Sequence, residues 1–128
     1  RQWLEQARSK LAKTDFVYGD SDFRPVLLGL VESNPENLAA REYLLCYDLM
    51  YFDVPSFMED YSLRKIPGRM YEEAVLIGLS MDGGLTEQRA MDEGISPQTY
   101  KRMQNYFRYP ERYKNSYWYY YANSPVGH

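Results

Sequence analysis

Few side chains in this chain could do chemistry, and their spacing is poor for it. Cys46 is the single cysteine and His128 the single histidine. A thiolate nucleophile needs a base beside it and access to solvent. Cys46 instead stands among Leu45, Tyr47 and Leu49 and reads as a small buried apolar side chain. One thiol and one imidazole build no zinc site. Asp15, Asp20 and Asp22 lack the spacing of a calcium loop, and Asp20-Ser21-Asp22 reads as a helix cap. Glu59-Asp60 and Glu72-Glu73 are adjacent pairs. Neighbours on a helix point about 100° apart, so neither pair faces itself across a substrate. Both read as solvated helix faces. Gly83-Gly84 lacks the lysine and hydroxyl of a phosphate loop and reads as a helix stop. No catalytic, metal-binding or cofactor-binding residue is assigned, and no cofactor is expected.

Binding competes with packing at one place, the run Tyr117-Trp118-Tyr119-Tyr120-Tyr121 that follows Pro110. Aromatic rings bury large areas, and their hydroxyl and indole N–H groups seek partners. In a helix, Tyr117, Tyr120 and Tyr121 share a side and Trp118 lies elsewhere, so both faces are aromatic. One face is expected to close the fold. The surplus among Tyr117, Trp118, Tyr119 and Tyr120 is the candidate contact for a partner, a membrane surface or another copy of the chain.

The elements that position these residues are all helical. A helix is expected from Asn34 as N-cap and Pro35 as first residue to about Tyr51. Its polar stripe is narrow (Asn37, Arg41, Asp48), which marks a central helix packed on several sides. Asp53 and Pro55 open the next helix, with Val54, Phe57, Met58 and Tyr61 inward and Glu59, Asp60 and Arg64 outward. The short turn between the two implies an antiparallel hairpin. Ile66-Pro67-Gly68 breaks the chain. A helix then covers Arg69 to Met81, with Arg69, Glu72, Glu73 and Ser80 on its wet side. Thr86 caps a short helix ended by Gly94. Ser96-Pro97 opens another, with Tyr100, Met103 and Phe107 inward, and Tyr109-Pro110 ends it. Upstream, Trp3, Leu4, Ala7 and Leu11 have helical spacing, and a second helix is expected to reach Val31. The fold class is all-α, in antiparallel helical hairpins, as a tetratricopeptide-like array or an irregular helical bundle. The helix starts at Pro35 and Arg69 lie 34 residues apart, the period of the tetratricopeptide repeat.

The chain has 128 residues, which suits one domain, 1–128. It carries 14 Tyr and a net charge of −3, with no basic stripe, and nucleic acid is not an expected partner. A lone cysteine excludes an internal disulfide. No apolar run approaches the roughly 18 residues of a membrane span. The chain opens at Arg1 rather than Met, which leaves room for a leader, lipid anchor or membrane region upstream.

Three stretches carry a family likeness. They are Asn34-Pro35-Glu36-Asn37 through Glu42-Tyr43-Leu44, Ile66-Pro67 with Tyr71-Glu72-Glu73-Ala74, and the aromatic run with Phe107 upstream. Together they resemble the C-terminal soluble portion of a family of uncharacterised bacterial (Bacteroidetes-type) membrane proteins. There, a multi-span region precedes a helical, tetratricopeptide-like tail with a similar aromatic ending. The likeness covers residues 34 to 121, leaves out 1–33, and brings no activity or catalytic residue. It implies a cell-envelope location, with membrane association through an upstream segment.

A helical scaffold or protein-interaction domain, more non-catalytic than enzymatic, is therefore expected, with a protein or peptide as partner. The alternative is an auxiliary domain of a membrane enzyme or transporter whose chemistry lies outside this chain. A scaffold predicts an exposed concave groove rimmed by tyrosine and carrying no strongly perturbed carboxylate. A hydrolase predicts a deep pocket with two convergent carboxylates.

Overall fold

The computed structural model describes residues 24–34 and 36–124. Every regular element among them is helical: α1 (Arg24–Ser33), α2 (Leu38–Met50), α3 (Val54–Leu63), α4 (Arg69–Met81), α5 (Glu87–Asp92), α6 (Pro97–Arg108), a 3₁₀ turn (Pro110–Tyr113) and α7 (Tyr117–Ala122). The chain divides into two compact units at Lys65–Ile66, at the break expected from Ile66-Pro67-Gly68. The helix expected around Trp3, the Asp15–Asp22 region and His128 lie outside the described residues.

In the first unit α1 packs on α2 and α2 on α3. Val31, Ala40, Leu44 and Tyr47 form a buried cluster, with Leu28 and Tyr43 against it. The start of α2 differs from expectation. Asn37, not Asn34, is the N-cap, its side chain accepting the Ala40 N–H at 3.1 Å. The Asn34 carbonyl accepts the Asn37 N–H at 3.0 Å, so Asn34 closes the turn before the helix. The start thus falls at Leu38, and the 34-residue offset to Arg69 is not kept.

Leu44 to Leu49 are buried without interruption, so α2 is central in its second half. Its first turn is not, since Leu38 is 49% exposed. Two carboxylates expected on wet faces, Asp48 and Asp60, are buried as well. Asp60 lines a crevice of about 10 Å³, the volume of a single water, together with Arg41 and Arg64.

The turn from α2 to α3 is built by backbone bonds. Phe52 N–H reaches the Leu49 carbonyl at 3.2 Å, and Asp53 N–H reaches Asp48 at 2.8 Å. This is the Schellman pattern, which puts its middle residue in the left-handed region. Phe52 occupies it at φ 61°. Asp53 then caps α3 by accepting the Ser56 N–H at 3.1 Å.

In the second unit α4 packs against α6 and α7, α5 against α6, and the 3₁₀ turn ties α6 to α7. Tyr71, Ala74, Val75, Leu76 and Leu79 are buried on α4. The same Schellman bonds end α4 at Gly83 (φ 70°) and α5 at Gly94 (φ 86°). Thr86 and Ser96 cap α5 and α6 as their sequence context requires.

Candidate functional site

The second unit concentrates its polar chemistry on the pair Glu72-Glu73. Glu73 is 2% exposed, against the expectation of a solvated face, and Glu72 is half-buried. The 100° divergence of adjacent positions sends each carboxylate to a different helix. Glu72 Oε1 accepts the Thr99 hydroxyl at 3.0 Å and the Ser96 N–H at 3.3 Å, which ties down the start of α6. Glu73 Oε1 accepts the Tyr117 N–H at 2.8 Å, which ties down the start of α7. Its backbone carbonyl accepts the Trp118 indole N–H at 3.0 Å. Glu73 Oε2 meets Arg102 at 3.1 Å and Arg69 at 3.6 Å. A buried carboxylate is tolerable when it is paired and its lone pairs are used in this way.

Arg102 also lies over two rings, 5.3 Å from the centroid of Trp118 and 5.7 Å from that of Tyr113. Such contacts are attractive because the ring face carries partial negative charge. These ties set the rotation of α6. Thr99, Met103 and Tyr106 are its buried residues. Of the expected inner face, Met103 is buried, Tyr100 is half-buried and Phe107 is 67% exposed. The helix rotates to bring Thr99 and Arg102 onto the two glutamates, and Phe107 is displaced toward solvent.

The aromatic run is helical. Tyr117 is fully buried and Trp118 is 4% exposed, while Tyr119, Tyr120 and Tyr121 are half-buried. Tyr117 stacks obliquely on Tyr120 and Tyr121, with centroids at 5.8 and 6.2 Å. Ser116 caps the helix, its hydroxyl oxygen accepting the Tyr119 N–H at 3.2 Å. Of the four candidate contact residues, Tyr117 and Trp118 are thus core rings of their unit. Tyr119 and Tyr120 keep surface to offer.

Beside this core α4, α6 and α7 enclose a groove of about 200 Å³. Ile77, Met81, Met103, Tyr106, Phe107, Trp118 and Tyr121 contribute its apolar walls, and none of its lining residues is a carboxylate. Met81, at 53% exposed, and Phe107 stand at its surface. Burial, with Tyr119 nearby, holds the Tyr106 hydroxyl above the usual tyrosine value. Sequence reasoning named most of these residues and expected a groove of a scaffold, but did not place it, because the outward turn of Phe107 depends on Glu72 and Glu73.

Among the described residues no group of three His, Cys, Asp or Glu side chains is placed to hold a metal ion. No helix among them is long and apolar enough to cross a membrane. Cys46 is buried. No curated protein and no solved structure matches the chain. Its sequence does match a family profile over residues 1–124, a stretch that takes in the N-terminal segment as well as the helices described above. The chain belongs to that family, a family of unknown function designated DUF6057.

Proposed function

We propose that this chain is a non-catalytic, helical protein-interaction domain, and that the groove between α4, α6 and α7 receives an apolar side chain from a partner's amphipathic segment. The groove itself carries the reading. At about 200 Å³ it is smaller than the roughly 300–1,000 Å³ typical of small-molecule sites. It suits one anchoring side chain of a peptide or helix. Exposed Met81 and Phe107 at its surface are the kind of residues found at adaptable contact faces. Tyr119 and Tyr120 extend that face, and a tetratricopeptide-like use of stacked hairpins belongs to the same proposal. So does attachment to an envelope protein through a segment upstream of Arg1, which the family resemblance supports. The reading frame upstream of Arg1 tests it: absence of hydrophobic spans there would remove it.

The test of the groove is a selection of displayed amphipathic helical peptides on the purified chain. Selected binders should lose about tenfold or more in affinity with Phe107→Asp, while the melting temperature is unchanged. Binders indifferent to that substitution, or a selection that returns none, would overturn the reading.

A further inference from the structure

We propose that α7 is a strap latched by Glu73, able to leave α4 while the rest of the unit stays folded, and that its docking assembles one wall of the groove. The inference rests on the groove reading for its functional meaning, but not for its physical content. Helix α7 spans six residues, well below the roughly 12–15 at which a helix holds itself together in water. Its order therefore comes from docking. Its first N–H groups have two acceptors: Ser116, within the segment, and Glu73, which lies 44 residues away. A carboxylate at this position also favours the positive end of the helix. The indole of Trp118 is held by the carbonyl of the same residue. These two long-range bonds of α7 to α4 thus converge on Glu73.

The later turns of the neighbouring helix touch α7, the Tyr106 hydroxyl donating to the Trp118 carbonyl at 3.4 Å and Arg102 lying over the Trp118 ring, but its start has a hold of its own. Glu72 grips the start of α6 through Ser96 and Thr99, and these bonds do not involve α7. When α7 leaves, Arg102 and Arg69 remain beside Glu73, so its carboxylate is not left as an uncompensated buried charge. That removes the largest electrostatic barrier to local release. Release would carry away Trp118, Tyr121 and Ala122 from the groove wall and widen it for a longer occupant.

Amide hydrogen exchange tests this without any partner. In the wild-type chain the amides of residues 119–122 should exchange at least about tenfold faster than those of residues 74–79 on α4. Equal rates in the two segments, meaning that α7 opens only with the whole unit, would overturn the proposal. Glu73→Met removes the acceptor and keeps a good helix former. It should speed exchange in residues 119–122 by a further tenfold or so, with α4 little changed. In a Trp3→Phe background, the remaining Trp118 emission should shift to the red. Unchanged α7 exchange and emission in Glu73→Met would show that Glu73 is not the latch. If that variant does not fold, the wild-type exchange comparison decides. Either outcome is independent of peptide selection on Phe107, so failure of the strap and failure of the groove are distinguishable.

Discussion

Glu73 organises its unit as a single buried acceptor, and its surroundings make two residue-scale predictions. Arg102 is about a quarter exposed on its side chain. Replacing it by Met leaves Glu73 with Arg69 at 3.6 Å as its remaining ion partner. A loss of about 3 kcal/mol in unfolding free energy is expected, read by urea denaturation. A loss near zero would mean that Arg69 alone compensates the carboxylate. Tyr106 gives a pH dependence. Its hydroxyl titrates above 10.0 in the folded chain, so the unfolded chain releases this proton first as pH rises. Its contribution to stability is whole below about pH 10 and falls as pH climbs toward the folded value. Urea midpoints measured from about pH 8 to about pH 11 should therefore fall less steeply in Tyr106→Phe than in wild type. Parallel slopes would remove the assignment.

At the scale of elements, the capping signals were the most legible part of the sequence. Thr86, Ser96, Asp53, Gly83 and Gly94 all act where their types and neighbours place them. Caps are local, satisfied by N–H groups three residues away, so a short window contains the whole interaction. Asp53 should accordingly lose about 1 kcal/mol on replacement by Ala, measured by thermal or urea unfolding. Its backbone bond to Asp48 survives that change, so a much larger loss would point to damage in the turn. The failure at α2 has the same local origin. Asn34 and Asn37 both suit a cap, and three residues decide a helix start. Phe52 was silent for a different reason. It takes the position that glycine takes after α4 and α5, and a bulky residue there has no signature. Helix rotation was not legible either. The choice between Tyr106 and Phe107 as the inner ring of α6 rests on Glu72 and Glu73, which lie some thirty residues upstream.

At the scale of the whole molecule, the chain forms two compact units meeting in sequence at Lys65–Ile66. The second unit is tied internally by the bonds of Glu72, Glu73, Arg102 and Trp118, which join α4 to α6 and α7. A polypeptide of residues 66–124 should therefore show helical circular dichroism and a cooperative melt, at the modest stability of a chain of about 60 residues. A flat, non-cooperative trace would show that these ties do not suffice. Within the intact chain, Leu76→Ala opens a void at a fully buried position on α4. It should cost about 2–5 kcal/mol in urea unfolding.

The sequence by itself determined the all-helical class, the order of the helices from Asp53 to Tyr109, their caps, the break at Ile66-Pro67-Gly68 and the packed character of the aromatic ending. These follow from periodicity and from bonds that span a few residues. Only the tertiary structure decided which carboxylates are buried, which way α6 is rotated, that Tyr117 and Trp118 close the unit while Phe107 faces outward, and that a groove lies between them. Each of those outcomes turns on a partner tens of residues away. Glu73 shows the reason most plainly: beside Glu72 it has the sequence of a wet helix face, and only the docked N-terminus of α7, with Arg102, makes a buried carboxylate the stable choice.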